Sequence, residues 1–310
     1  MVNARDRFVA FRRSLGRTPP LDRQVVRARG LPFAVFTSPP VAGQPPLLCI
    51  NGGMLYSHAM LWPALSPLAA HRQVILYDQR GRGDTPAPPD PLTSTIHDDA
   101  ADVGALRRAL GIRQWDILGH SWGGGIAMLA TADDPAGVRR LVTVDAVGPT
   151  SSWMQPTREN SRRAASDADR ATINRITEQD LEIPDPQLHS DFSRASYPAW
   201  FVNPELAAFF TPPVAVSVTG AAVLADLRRN GYDWRDRLRT LSTPTLVLHG
   251  EGDALPLSVS TELAEVLPQA RQRIVPDSGH MPFWEAPERF FSLVDAYLLA
   301  ATPGAARLEA

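Results

Sequence analysis

The residues Gly119-His120-Ser121-Trp122-Gly123 decide how this chain folds. They follow a short apolar run, Trp115-Asp116-Ile117-Leu118, and open a run of small and apolar residues at 124–130. This pattern predicts a strand, a sharp turn and a helix, with Ser121 at the turn. The two glycines remove Cβ atoms that would clash in so tight a turn. Unpaired N–H groups at the start of the following helix would then point at the serine, where they favour a developing negative charge.

Outward from this turn, predicted strands alternate with predicted helices. Several strands are apolar at every position, which is typical of strands covered on both faces. The alternation predicts an α/β fold with a mostly parallel central sheet and helices on both faces. The strands are predicted at 24–29, 33–37, 45–50, 73–77, 116–118, 138–144, 245–248 and 271–275, and the main helices at 58–70, 94–110, 259–267 and 287–299.

The alternation stops between residues 148 and 237. This stretch contains helical segments and proline-rich loops, and it has no fully apolar strand. We therefore expect an inserted, mainly helical cap at 148–237, with the core formed by 1–147 and 238–310.

Composition excludes several classes of protein. A net charge of −2 gives no reason to expect binding to nucleic acid or to an anionic membrane. The one cysteine, Cys49, lies inside an apolar run, which indicates a buried strand residue rather than a nucleophile. The first residues resemble no secretory signal, so the expected location is the cytoplasm. No pattern in the sequence indicates an oligomeric state.

Chemically active side chains follow several predicted strands. Ser121, Asp253, His280 and the turn 51–53 each come just after one. Because parallel strands place their carboxyl ends at one edge of the sheet, these groups are expected to converge there. A serine hydroxyl needs a base to take its proton, histidine titrates in a suitable range, and a carboxylate orients the imidazole. We predict Ser121 as nucleophile, His280 as base and Asp253 as the acid that orients it.

Some assignments have rivals. Asp145 ends the strand after Ser121 and is an alternative to Asp253, which is favoured because a flexible turn precedes its carboxylate. His120 is adjacent to the nucleophile, but strand alternation predicts that it points away.

The remaining predictions concern the surroundings of Ser121. The backbone N–H groups of Trp122 and Gly53 are expected to form the oxyanion hole, with Met54 as the neighbouring candidate. Cap aromatics, among them Trp153, Trp200 and Phe201, are expected to line an apolar substrate pocket together with Met54. No His, Cys or carboxylate cluster has metal-ligand spacing, so neither a metal nor a cofactor is expected.

Five motifs together resemble the α/β-hydrolase superfamily over nearly the whole chain, and within it the proline-iminopeptidase-like branch. They are Asn51-Gly52-Gly53-Met54, Asp78-Gln79-Arg80-Gly81-Arg82-Gly83, Gly119-His120-Ser121-Trp122-Gly123-Gly124, His249-Gly250-Glu251-Gly252-Asp253 and Gly279-His280. The resemblance implies the α/β-hydrolase fold, a Ser-Asp-His order of catalytic residues and an acyl-enzyme mechanism.

The chain departs from the iminopeptidase pattern at the turn after the first parallel strand. Iminopeptidases usually carry His-Gly-Gly-Pro-Gly there, whereas Asn51 and Met54 replace the histidine and the proline. Those enzymes also use glutamates to hold the free α-amine of the substrate, and here Ala254 follows the predicted acid. The glutamates available in the cap are Glu159, Glu178, Glu182 and Glu205.

The function expected from the sequence is therefore hydrolysis of a small carboxylic ester through an acyl-enzyme. The alternative is a proline-iminopeptidase-like aminopeptidase or amidohydrolase. A ligand-binding receptor and a perhydrolase are less favoured. The expected partner is a small ester or amide substrate.

Overall fold

The fold is built on one eight-stranded sheet, seen in a computed structural model that describes residues 3–16, 18, 20–177, 179–183, 185–210 and 216–300. The spatial order is β1-β2-β4-β3-β5-β6-β7-β8. β1, β2 and β4 pair antiparallel, and the pairs from β4 through β3 to β8 are parallel, which confirms the predicted mostly parallel sheet. The strands are β1 (Asp22–Ala28), β2 (Leu31–Thr37), β3 (Leu47–Ile50), β4 (Val74–Tyr77), β5 (Trp115–His120), β6 (Val138–Val144), β7 (Thr245–Gly250) and β8 (Ala270–Val275).

Eleven α-helices connect and cover these strands within the described residues. They are α1 (Ala4–Ser14), α2 (Ile96–Ala109), α3 (Trp122–Asp133), α4 (Met154–Ala164), α5 (Asp167–Arg175), α6 (Pro186–Ser196), α7 (Val218–Asn230), α8 (Arg235–Leu238), α9 (Leu257–Val266), α10 (Pro282–Glu285) and α11 (Pro287–Leu299). None of them combines the length and the apolar character needed to cross a lipid bilayer.

Strand alternation divides the core into two layers. In β3, Leu48 and Ile50 belong to one apolar cluster, and Leu47 and Cys49 belong to the other. The first cluster packs against α2 and α3, and the second packs against α1 and α11. The sheet is therefore covered on both faces, which explains why strands such as β3 are apolar at every position.

Residues 58–70, predicted as one helix, do not form a continuous helix. They form two short 3₁₀ turns, His58–Met60 and Ser66–Ala70. Pro63 and Pro67 lie inside the segment, and neither has an amide hydrogen to donate to a continuous helix.

Helices α4–α7 all lie between β6 and β7, and we call this part of the chain the cap segment. α4 and α6 pack against the 3₁₀ turn Tyr197–Trp200, and α5 packs against α6. At the edge of the sheet below it, β3, β5, β6, β7 and β8 all end, because all five run in the same direction. The loops that follow these strands carry the residues considered next.

Candidate active site

Ser121 lies at the turn between β5 and α3, in the conformation that the surrounding glycines permit. Its φ of 54° lies in the left-handed region, which residues other than glycine rarely adopt. A Cβ on Gly119 would lie 2.4 Å from the Gly123 carbonyl oxygen, and a Cβ on Gly123 would lie 2.3 Å from the Ile50 carbonyl oxygen. Only glycine fits at both positions, so the close packing of β3, β5 and α3 holds the serine at the tip of the turn.

His280 and Asp253 are brought together by the loops after β8 and β7. His280 Nδ1 donates to Asp253 Oδ2 at 2.8 Å, and both side chains are buried. A second Asp253 oxygen, Oδ1, accepts from the Leu255 N–H at 2.9 Å. Burial lowers the pKa of His280, so the imidazole is neutral and its Nε2 is available as a proton acceptor.

Ser121 and His280 line the same cavity. Within the described residues, no hydrogen bond joins the Ser121 hydroxyl to His280. Such a bond is commonly long in an unliganded site and shortens when substrate binds.

The loop after β8 is anchored to the cap segment. The His280 N–H donates to the Trp200 carbonyl at 2.8 Å, and the Trp200 ring lies 4.1 Å from the imidazole. Glu285, fully buried, accepts from the Gly279 N–H at 2.6 Å and from the Val202 N–H at 2.9 Å. Burial raises the pKa of Glu285 to about 7. One carboxyl group therefore ties the histidine loop to the cap.

Sequence reasoning missed Glu285, although a signal existed. The residue lies in the run Met281-Pro282-Phe283-Trp284-Glu285-Ala286-Pro287, where it is the one charged side chain among apolar neighbours. A charge in such a run is either exposed by a turn or buried with a partner.

His120 also differs from expectation. Its ring is buried, lies 4.9 Å from the His280 ring and donates from Nε2 to the His280 carbonyl at 2.8 Å. Burial lowers its pKa to about 3, so this ring stays neutral. His120 therefore contacts the histidine loop, although strand alternation had predicted that it points away.

The turn 51–56 packs directly against the serine. A Cβ on Gly52 would lie 2.6 Å from the Ser121 Cβ, and Gly53 has a φ of 71°. Asn51 Nδ2 donates to the carbonyls of Gly52 and Tyr56, each at 3.1 Å, which closes the turn. Asn51, which replaces the histidine usual in iminopeptidases, therefore stabilises the turn through its side-chain amide.

Two side chains of the loop after β4 hold the same turn from below. Gln79 Nε2 donates to the Asn51 carbonyl at 3.0 Å, and Arg82 Nε donates to the Met54 carbonyl at 2.9 Å. Arg82 is fully buried and is paired with Asp99 at 2.9 Å. The Asp78–Gly83 motif is therefore a support for the 51–56 turn.

Two cavities meet at Ser121. The first, of about 220 Å³, extends toward His280 and Tyr197, and the second, of about 310 Å³, extends toward Trp153 and Ile173. Both are lined mainly by apolar side chains, and among the described residues neither wall carries an aspartate or a glutamate. Residues shared by the two walls include Gly53, Met54, Ser121, Phe192, Trp200 and Leu224.

Three of the four predicted pocket residues lie on these walls. Met54 and Trp200 line both cavities, and Trp153 lines the second. Phe201 requires correction, because it lines neither cavity and is buried against Phe210, with ring centroids 4.9 Å apart. Phe201 belongs instead to the second apolar cluster of the core.

The cap glutamates lie away from Ser121 where the structure describes them. Glu159 and Glu205 are exposed, and Glu182 is paired with Arg228 and Arg229. Glu178 lies outside the described residues. None of the described three lines either cavity at Ser121.

Asp145, the rival of Asp253, lies in the same buried cluster. One ligand atom from each of Asp145, His249 and Asp253 lies within 4.8 Å of the others, a spacing that would suit a cation. Hydrogen-bond donors already engage an oxygen of each carboxylate, the Gly250 N–H on Asp145 and His280 on Asp253. N–H donors therefore hold both carboxyl groups of this cluster in place.

Comparisons with known proteins identify the family. A family model described as alpha/beta hydrolase fold matches residues 45–287. A proline iminopeptidase from Lactobacillus delbrueckii subsp. lactis is 28% identical over 82% of this chain and 90% of its own. A 2-hydroxymuconate semialdehyde hydrolase from Pseudomonas putida is 32% identical over 74% of this chain and 78% of its own.

Among solved structures, VinJ superposes with a TM-score of 0.73 at 22% identity, covering 91% of this chain and 99% of its own. The superposition supports the fold. Together with the family match over most of the chain, it confirms the resemblance predicted from the five motifs. The chain therefore belongs to the α/β-hydrolase family, in a branch similar to the proline iminopeptidases, and is a hydrolase.

Proposed function

We propose that this hydrolase cleaves a small carboxylic ester with apolar groups on both sides of the carbonyl, using Ser121, His280 and Asp253. The observation that carries the proposal is the meeting of two apolar cavities at Ser121, without a carboxylate on the described walls. One cavity would take the acyl group and the other the alcohol.

In this mechanism Ser121 Oγ attacks the carbonyl carbon while His280 Nε2 takes its proton. Asp253 accepts from Nδ1 and stabilises the imidazolium that forms. The N–H groups of Trp122 and Gly53 bind the oxyanion of the tetrahedral intermediate. Collapse breaks the C–O bond, and the imidazolium returns its proton to the departing alcohol. Water then attacks the acyl-enzyme, and His280 again accepts and returns the proton.

The second candidate is an aminopeptidase. Similarity to proline iminopeptidases favours it. An aminopeptidase would have to bury the ammonium group of its substrate, and an ammonium needs a carboxylate partner when it leaves water. The described walls offer none, so the ester is placed first.

The test is a panel of p-nitrophenyl esters and aminoacyl-p-nitroanilides, including the proline anilide. Esters are expected to give the larger kcat/KM, and a dominant proline anilide signal would reverse the order.

Replacing Ser121 with alanine is expected to lower kcat on the best substrate by a factor on the order of 10⁶, with the fold retained. Circular dichroism and steady-state kinetics measure the two quantities. Ser260→Ala is the matched control, because Ser260 is a buried serine on α9 whose hydroxyl bonds the Leu257 carbonyl. Equal activity of Ser121→Ala and wild type would exclude Ser121 as the nucleophile.

A further inference from the structure

Asp145 lies behind the predicted acid, at the end of β6. Its backbone has a φ of 46°, in the left-handed region, and its N–H donates to the Leu248 carbonyl at 3.0 Å. These constraints point the side chain across to β7, where Oδ1 accepts from the Gly250 N–H at 2.7 Å. The carboxyl is fully buried, and one of its oxygen atoms lies within 4.8 Å of an oxygen of Asp253.

The surroundings of this pair contain no arginine partner within the described residues, although two carboxyl groups are buried in contact. The titratable groups that face Asp145 are His249 and Asp253, with Glu285 farther away. Two carboxylates held together out of water cannot both be ionised without a cation, so one of them carries a proton.

His249 lies beside the Asp145 carboxyl group but does not donate a hydrogen bond to it. His249 Nε2 donates to the Leu255 carbonyl at 3.0 Å, and burial lowers the pKa of the ring to about 4. Nδ1 of this neutral ring therefore carries a lone pair, and it lies 3.6 Å from Asp145 Oδ1. Among the residues that the structure describes, Asp145 Oδ2 has no N–H donor. An ionised Asp145 would thus face acceptors on two sides.

Asp253 accepts more hydrogen bonds than Asp145 does. It accepts from His280 Nδ1 and from the backbone N–H of Leu255, whereas Asp145 accepts from one backbone N–H. Hydrogen bonds to the charged form favour that form, so the negative charge belongs on Asp253 and the proton on Asp145.

We propose that Asp145 is a positioning residue whose protonated carboxyl donates to Asp253, keeping Asp253 ionised and turned toward His280. The inference rests on the proposed catalytic roles of Asp253 and His280. It makes the two acids complementary members of one unit, in which one is neutral and the other is charged. Burial, together with the neighbouring Asp253, raises the pKa of Asp145 well above its usual range, and burial raises the pKa of Asp253 as well, so the two carboxyl groups compete for one negative charge.

Infrared difference spectroscopy tests the protonation state without any substrate. A spectrum of wild type minus Asp145→Asn at neutral pH is expected to contain the carbonyl stretch of a protonated carboxyl group. Asp134→Asn is the matched control, since Asp134 is paired with Arg107 at 2.7 Å and loses an ionised carboxylate instead. Absence of the protonated band from the Asp145 difference spectrum would overturn the proposal, whatever the enzyme acts on.

Kinetics test the positioning role. Asp145→Asn keeps a neutral donor of the same shape, so its kcat is expected to stay close to that of wild type. Asp145→Ala removes the donor and is expected to lower kcat by about 10- to 100-fold at unchanged KM, because the imidazole loses its fixed orientation. Loss of kcat in the asparagine variant as large as in the alanine variant, or full activity of the alanine variant, would contradict the proposal. Thermal unfolding of each variant establishes that it is folded, and the asparagine variant remains informative if the alanine variant is not.

Discussion

Two groups of buried carboxyl side chains in this molecule are stabilised in different ways. In the first group, below the 51–56 turn and at the base of the sheet, the buried carboxylate is paired with an arginine; the pairs are Arg82–Asp99, Arg80–Asp102 and Arg72–Asp116. At the candidate active site, Asp145, Asp253 and Glu285 are equally buried, and their partners are backbone N–H groups and His280.

The two kinds of partner differ in how strongly they favour the ionised form of a buried carboxyl group. A guanidinium favours the ionised form of its partner, so burial raises the pKa of Asp99 only to about 6, and the pair with Arg82 holds its loop in place. Backbone N–H groups stabilise a charge less strongly, and burial then raises the pKa of Glu285 to about 7 and that of Asp145 well above its usual value. Arginine therefore pairs with the buried carboxylates of the scaffold, whereas backbone N–H groups and His280 contact those at the candidate active site.

The largest effect is expected from removing a scaffold arginine. Arg82→Met leaves Asp99 buried without its partner and should lower the free energy of unfolding by about 3–5 kcal/mol, measured by urea denaturation. Activity should fall as well, because Arg82 also holds the Met54 carbonyl.

The control is Arg23→Met, which breaks the exposed pair with Asp84 and should cost less than about 1 kcal/mol. Comparable losses in the two variants would remove the distinction between buried and exposed arginine pairs.

A smaller effect is expected from the pH dependence that Glu285 introduces. Its pKa is about 7 in the folded protein and 4.5 in the unfolded chain, so the folded state binds this proton more tightly. The contribution of Glu285 to the free energy of unfolding therefore declines as pH rises from about 4.5 to 7, by roughly 3 kcal/mol. Urea denaturation at several pH values should show wild type losing stability relative to Glu285→Gln over this interval.

Glu159→Gln is the matched control, because Glu159 is exposed and its replacement should leave the pH dependence of stability as in wild type. A constant difference between wild type and Glu285→Gln across the interval would show that the Glu285 pKa is not raised.

The smallest effect separates charge from geometry in the scaffold. Arg80 donates to both oxygens of Asp102, at 2.7 and 2.6 Å. Arg80→Lys keeps the charge and loses the two-pronged contact, with an expected loss of about 1–2 kcal/mol in urea denaturation. Arg80→Met should cost more. If the lysine and methionine variants lose the same stability, the shape of the contact matters and the charge does not.

Much of the fold was predictable from the sequence because its signals are local. Apolar strands, the glycines around Ser121 and the Ser-Asp-His order indicate the sheet and the edge where the loops meet. The prediction of a helix at 58–70 was wrong because Pro63 and Pro67 interrupt that segment, and the prediction for Phe201 was wrong because an irregular segment has no period to count.

The relation between Asp145 and Asp253 illustrates what sequence reasoning could not supply. It treated the two acids as alternatives, each at the end of a strand. Their strands, β6 and β7, are parallel neighbours in the sheet, and this pairing brings both carboxyl groups into one buried cluster. No local pattern in the sequence indicates which distant strands pair, and therefore none indicates that these two carboxyl groups are close together.

The contact between the Trp200 carbonyl and the His280 N–H has a consequence for substrate selection. Trp200 forms part of the wall of both cavities, and the same residue holds the proposed base. A substrate bulky enough to push this wall outward would also draw the imidazole away from Ser121. We therefore expect oversized esters to bind and react slowly, so that the enzyme discriminates by size in kcat more than in KM.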